Sequence, residues 1–155
     1  MFIRSKEKEK VENYEIMKSF GFFRPNKNQR KKINDFYQKK NIIIHGRGYD
    51  LIDKKTFENI ENLYESPILY ELKSTWRENI NDDFRGFSFG ITQNEILNFK
   101  SLKQNFKIIY LNGLKKIIKI EDFESIQNCF SHKAYFFTIG KNKNINLENE
   151  SNLFI

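Results

Sequence analysis

The tetrapeptide Thr92-Gln93-Asn94-Glu95 fixes a helix start more firmly than any other stretch of the chain. A threonine hydroxyl at this position accepts from the backbone N–H three residues on, and the glutamate there reaches back to the threonine N–H. Ile91 and Ile96 flank the pair as a hydrophobic staple. The motif predicts a helix from Gln93 to about Lys103. Runs of strand-forming residues lie on both sides of it. Before it come "ILYELKSTW" at 68–76 and the short "FSFGIT" at 87–92; after it comes "FKIIYL" at 106–111.

The remaining chain alternates in the same way. Val11, Tyr14, Met17 and Phe20 recur at near-helical spacing before Gly21, which predicts a first helix over about 6–20. "FFRPN" reads as a break. "NQRKKINDFYQKK" puts Ile33, Phe36 and Tyr37 on one face of a cationic second helix. "NIIIHG" and "YDLID" read as two strands parted by a turn or bulge at "GRG". "KKTFENIENLYESP" is an insertion, helical in part, and "RENINDDFRG" a polar loop. "FKIIYL" and "LKKIIKI" form a hairpin closed by a two-residue Asn112-Gly113 turn. "EDFESIQNCF" is a short helix and "AYFFTI" a last strand, with a polar, loosely held tail after Gly140 whose apolar end can dock. The expected fold class is α/β, with a mixed central β-sheet flanked by helices. One domain is expected over 1–155, with its core at about 6–140 and the polar tail at 141–155.

Composition narrows the function classes. The 16 Phe, 7 Tyr and 1 Trp can fill a core without disulfides, and a single cysteine, Cys129, excludes a disulfide framework within the chain. That usage fits a reducing compartment. No apolar run reaches the ~18 residues of a membrane span, and "MFIRSKEKEK" is too charged for the core of a signal peptide. The expected location is cytoplasmic. Lys plus Arg number 27 against 20 Asp plus Glu, a formal charge of +7. Such a balance favours a polyanionic partner, nucleic acid first, although a chain rich in Lys, Asn and Ile also gains charge from AT-rich coding.

The chemistry-bearing residues sit in "ILYELKSTW". Strand alternation puts Ile68, Tyr70 and Leu72 on one face and Leu69, Glu71, Lys73 and Thr75 on the other. Glu71 and Lys73 then stand side by side, roughly 7 Å apart along the strand. A salt-bridged edge strand would explain them without chemistry. A hydrolytic site would too: the carboxylate holds Mg²⁺, and the lysine orients or deprotonates the attacking water or stabilises the phosphorane. Mg²⁺ needs a second acid, for which Asp50 in "GRGYDLID" is the best candidate, and the Leu72 main-chain carbonyl can add an oxygen. A Glu-x-Lys triplet alone is expected by chance in a chain this rich in both residues, so its weight comes from the strand, the preceding Asp and the capped helix downstream. His45 and His132 are the only histidines, too few with one cysteine for a zinc site. Trp76 can stack on a base or fill the rim of the core. Arg30, Lys31, Lys32, Arg47, Arg77 and Arg85 are candidate phosphate contacts, each of which can equally be a solvated charge. Gly46 and Gly48 around Arg47 suggest a close backbone approach.

The succession of helix, "YD", strand, "ELKST", short strand, "ITQNEILNF" and "FKIIYLN" resembles the PD-(D/E)XK nuclease superfamily over about residues 6–120. The resemblance implies a restriction-endonuclease-like fold in which Asp50 and Glu71 bind Mg²⁺, with Mn²⁺ as a substitute, and Lys73 assists the water. Tyr49 stands where the motif has proline. Asp53 is an alternative ligand, Glu12 or Glu15 a possible acid from the first helix, and Gln93 a possible supporting residue; Glu95 is assigned to capping. The implied activity is that of a Mg²⁺-dependent endodeoxyribonuclease of the type II restriction kind, acting on double-stranded DNA as a homodimer or with a partner subunit. A structure-specific or repair nuclease on the same core, and a catalytically silent nucleic-acid-binding module, remain alternatives.

Overall fold

The computed structural model describes residues 6–125 and 136–139. Helix α1 (Lys6–Ser19) ends at Gly21, whose φ of +85° lies in the left-handed region that glycine enters without Cβ strain. The Gly21 N–H donates to the Lys18 carbonyl, and the chain turns at once into β1 (Phe22–Phe23). The stretch expected to be a plain break therefore holds a two-residue strand, because Phe22 is buried and pulls the backbone onto the sheet. Helix α2 (Lys27–Gln38) starts from a capping box of Asn26 and Gln29 and buries Ile33 and Tyr37.

The expected strand at 41–46 does not form. Asn41 has φ +63° and Gly46 φ +61°, both incompatible with an extended run. The His45 N–H and C=O are taken instead by the side chain of Asn98, at 2.7 and 3.0 Å. Strand β2 is confined to Leu51–Asp53. A short helix α3 (Lys54–Glu58) and a 3₁₀ turn (Ile60–Asn62) follow, so the insertion is partly helical as expected. Next come β3 (Leu69–Thr75), β4 (Ser88–Gly90) and α4 (Gln93–Leu102), the last with its capping box as read from the sequence. A 3₁₀ turn (Lys103–Asn105) leads into β5 (Phe106–Asn112), which forms a hairpin with β6 (Ile117–Asp122).

That hairpin is closed by the four residues 113–116, not by two. Asn112 Oδ1 accepts the N–H groups of Leu114 and Lys115, which spends the asparagine on an Asx turn. Gly113 is needed for a different reason: a Cβ there would lie 2.2 Å from Cε2 of Trp76. Beyond β6, only the 3₁₀ turn Phe123–Ser125 of the expected short helix and the strand β7 (Phe136–Thr138) are described. The polar tail falls outside the described residues.

Among the described residues the main sheet has the order β1-β2-β3-β5-β6, with β3 and β5 parallel and the other neighbours antiparallel. Parallel neighbours require a crossover, and α4 supplies it. Strands β4 and β7 pair separately. The sheet alternation divides the core in two. Leu69, Phe106, Ile108 and Tyr110 pack with Ile33 and Tyr37 of α2 and Ile96, Phe99 and Leu102 of α4. Leu51, Tyr70, Ile109 and Leu111 pack with Phe22 and with Met17 of α1. The result is an α/β protein with a mixed five-stranded sheet between helical layers. No helix among the described residues is long and apolar enough to cross a membrane.

Candidate active site

The site forms where the β2 ladder stops. Leu51 pairs with Tyr70 and Ile52 with Leu69. One residue earlier the Asp50 N–H donates to the Tyr70 carbonyl at 2.8 Å, and Asp50 Oδ2 accepts the Leu72 N–H at 2.8 Å. A carboxylate thus replaces the main-chain acceptor that a longer β2 would have offered. The N–H and C=O of one strand residue leave the same edge, so the Leu72 carbonyl faces the Asp50 side as well.

Glu71 and Lys73 project from β3 on the face covered by α4. The Glu71 carboxyl stands beside the Asp50 carboxylate, close enough to be perturbed by it. Lys73 Nζ donates to Glu95 Oε1 at 2.6 Å and lies 3.7 Å from Glu71 Oε1. Both strand side chains are nearly enclosed, at 13% exposed for Glu71 and 14% for Lys73. Burial, then the Asp50 and Glu95 carboxylates, push the Glu71 carboxyl far above its usual range; Lys73 acts in the opposite direction. Glu95 does two jobs. Its Oε2 accepts from the Thr92 N–H at 3.2 Å and the Thr92 hydroxyl at 2.8 Å, while Oε1 holds the ammonium. Assigning it to capping alone missed the second role, because the cap is visible in a four-residue window and the ion pair is not.

Two helices lock the turn that delivers Asp50. Asn98 of α4 is fully buried and, besides His45, binds the Gly48 carbonyl at 3.1 Å. From α2, Arg30 Nη1 donates to the carbonyls of Arg47 at 3.2 Å and Tyr49 at 2.9 Å, and its guanidinium lies over the Tyr49 ring at 4.8 Å. Gly48 has φ +79°, and a Cβ there would meet Ile44 at 2.2 Å. Tyr49, at the motif's proline position, is 3% exposed, and its hydroxyl is buried without a hydrogen-bond partner among the described residues. On the far side, Asn13 of α1 bonds Ser74 Oγ at 3.0 Å and accepts from Trp76 Nε1 at 2.9 Å. This anchors α1 over a cavity of about 440 Å³ whose walls include Lys6, Glu9, Lys10 and Tyr14 together with Asp50 and Glu71. Burial, then the Asp50 carboxylate, raise the Tyr14 hydroxyl above its ordinary value.

The other candidates are distributed unevenly. Asp53 caps α3 by accepting from the Thr56 N–H at 2.8 Å, and it accepts from the Tyr70 hydroxyl at 3.3 Å. It is committed there and is not part of the acid pair. On α1 the acid lining the cavity is Glu9, not Glu12; Glu15 is exposed and paired with Lys18. Glu9 was within reach of helical periodicity, one turn before Asn13, but nothing in the sequence says which face of α1 meets the sheet. Gln93 is exposed, and the α4 residues facing the acids are Thr92, Asn94, Glu95 and Asn98. Lys31 pairs with Asp35 at 2.9 Å and Lys32 with Glu61. Arg30 is turned inward as described. Arg47 is exposed beside the site. Trp76 is half-buried against Gly113 and fills the rim. Arg77 is exposed, and its carbonyl accepts from Asn112; Arg85 is exposed and 3.8 Å from Asp83. The His45 main chain, not its ring, is what holds the turn. His132 and Cys129 lie outside the described residues.

The donor set suits a hard cation. Among the described residues no group of three or more His, Cys, Asp or Glu is arranged as a metal cage. Mg²⁺ does not require one: one or two carboxylates suffice when substrate phosphate and water complete its shell. Burial and the neighbouring Asp50 carboxylate both oppose charge on Glu71, a penalty that a bound cation would relieve. No family model, curated protein or solved structure matches the chain.

Proposed function

We propose that the chain is a divalent-metal-dependent nuclease on a restriction-endonuclease-like core, hydrolysing phosphodiester bonds of double-stranded DNA. The observation that supports this most is the charge balance of the site. Glu71 and Glu95 share one ammonium, Lys73, and Asp50 stands beside Glu71; the four groups come from β3, α4 and the turn before β2. A structural salt bridge needs one acid per base. Acids in excess of bases make burial costly, and a perturbed carboxyl in a cleft, as Glu71 is, is characteristic of working sites.

Asp50, Glu71 and the Leu72 carbonyl would hold Mg²⁺, with Mn²⁺ as a substitute; when bound, the ion supplies Lewis acidity and an acidified water. The protein's own groups do the rest. Asp50 is fixed through Oδ2 by the Leu72 N–H, which leaves Oδ1 for the cation side. Glu71, whose carboxyl is raised by burial and by Asp50, would bind the ion in its ionised form and so would release a proton on binding. An ammonium carries three donors, and Glu95 engages one, so Lys73 retains donors to orient the water and to stabilise charge developing on the phosphoryl oxygens. One such centre cuts one strand, so cleavage of both strands calls for a homodimer or a partner subunit.

The test is digestion of plasmid and single-stranded DNA with Mg²⁺ or EDTA, by wild type, Glu71→Gln and Lys73→Ala. Cleavage by wild type in Mg²⁺ alone, lost in both folded variants, is expected. Equal cutting by all three would remove the basis of the proposal. Binding without cleavage under every condition would favour a silent nucleic-acid-binding module.

A further inference from the structure

The cations of the described chain are not spent evenly. On α2, Lys31 and Lys32 are each paired with an acid. Lys18, Lys54, Lys55, Lys107, Lys115 and Lys119 also have carboxylates within 4 Å. Arg24, Lys27 and Arg47 have none among the described residues, and all three are exposed. They come from three separate segments: the β1–α2 connection, the first turn of α2 and the glycine-flanked turn before β2. They nevertheless line one cleft of about 510 Å³, with Pro25, Asn26 and Arg30 as its remaining walls and no acid in it.

Two further features point the same way. The first turn of α2 contains no acidic residue and does contain Lys27, although a helix start carries partial positive charge and favours anions. Like charge is gathered there with no acid in that turn or in the cleft to balance it. The arginines are also preset: Arg24 lies over the Tyr14 ring at 4.8 Å, and Arg30 fixes the backbone at Arg47 by its bond to that carbonyl. The cleft adjoins the acid site through shared walls. Arg47 also lines the recess beside Asp50, Glu71 and Glu95, and Tyr14, under Arg24, lines the cavity that Asp50 and Glu71 border.

We propose that this cleft is a second phosphate subsite, taking backbone phosphates of a nucleic acid strand next to the phosphodiester held at the acid pair. Arg24, Lys27 and Arg47 are its contacts, and only Arg47 stood out in the sequence. Lys31 and Lys32 are pair-bound and contribute little. The proposal rests on nucleic acid being the ligand, as in the nuclease reading, but not on cleavage. The shared chemistry is a phosphate oxygen, which free polyphosphates also present.

Binding of a short labelled duplex is measured in EDTA over a salt series, for wild type, Arg24→Gln, Arg47→Gln, the double variant and a control, Lys103→Gln. Lys103 is exposed and follows the opposite end of α4 from Glu95. Each lost phosphate contact lowers the salt slope by about 0.9 and, carried over the decade from 1 M to 0.1 M salt, weakens binding about eightfold. The double variant is expected near 60-fold weaker by the same relation, with the control within about twofold of wild type. Cleft variants that bind like the control overturn the subsite, as does wild type that fails to bind or that binds pyrophosphate more tightly than duplex. Wild type that binds through the cleft yet never cuts in Mg²⁺ leaves the subsite standing and removes the nuclease. Wild type that cuts while the cleft variants bind unaltered does the reverse.

Discussion

Glu71→Gln should make the metal-free protein more stable while abolishing its chemistry. The Glu71 carboxyl has an ordinary value of 4.5 and is raised well above neutrality in the fold, first by burial and then by Asp50 and Glu95. Its folded pKa exceeds its unfolded one, so the folded state binds the extra proton. The penalty is absent below about pH 4 and grows as pH rises, because the unfolded chain gains by ionising and the folded one does not. From 4.5 to pH 7 is 2.5 units, and at ~1.4 kcal/mol per unit the penalty is about 3 kcal/mol. With the side chain only 13% exposed, solvent screening removes little of it. Glutamine has the shape of the protonated acid, so the substitution removes the ionisation term and little packing. At ~2–4 °C per kcal/mol for a chain of this length, the melting temperature at pH 7 should rise by roughly 6–12 °C in EDTA. The assay is thermal or urea unfolding of both proteins at pH 4, 5.5, 7 and 8 without metal. The two curves should coincide near pH 4 and separate upward. A variant that is no more stable than wild type at pH 8 would refute the reasoning, since Glu71 would then be an adequately paired carboxylate.

Other substitutions probe the supports. Mg²⁺ should bind more tightly as pH rises and release a proton on binding, which calorimetry in buffers of different ionisation enthalpy would detect; a pH-independent affinity from pH 6 to 9 would contradict the raised Glu71 carboxyl. Glu95→Gln should keep the α4 cap, because glutamine serves at that position, yet shift the half-point of Mg²⁺ binding to lower pH, since Glu95 is one of the charges raising Glu71. Asn98→Ala removes three bonds to the backbone of His45 and Gly48 and should cost about 2–3 kcal/mol in urea unfolding. It should also depress cleavage more than duplex binding.

The sequence showed the fold wherever a segment's own residues decide its structure. Helix α4 starts at its threonine–glutamate box, and β3 follows its apolar alternation. Helix α2 starts from an equally local box at Asn26 and Gln29, whose first member lies in the stretch read from the sequence as a break. The failures lie where distant residues decide. An apolar run at 42–44 reads as strand, but a side chain 53 positions away takes the hydrogen bonds of His45 and keeps the segment irregular. The Asn112-Gly113 pair reads as a hairpin apex, but Trp76 lies over that glycine and the asparagine caps the loop that follows. At the site, alternation placed Glu71 beside Lys73. Bringing Asp50 to them depends on the β2–β3 register, for which the sequence offers the order of segments but no direct signal.

The site residues differ in how much of their capacity is already committed. Asp50 has one oxygen on the Leu72 N–H. Glu95 has one on Thr92 and one on Lys73. Lys73 is held at 2.6 Å by Glu95 and only loosely, at 3.7 Å, by Glu71. Glu71 has its base at the longer of the two Lys73 distances and two acids, Asp50 and Glu95, acting on it. Under the proposed function it is therefore the group whose state a divalent cation would change most, since burial and its acid neighbours oppose its charge. The anchored groups hold the geometry in either condition. If the proposed reading holds, Asp50, Glu95 and Lys73 preorganise the centre, and its dependence on metal and on pH should be concentrated in one carboxyl. That is why the substitution expected to stabilise the fold most is also the one expected to silence it.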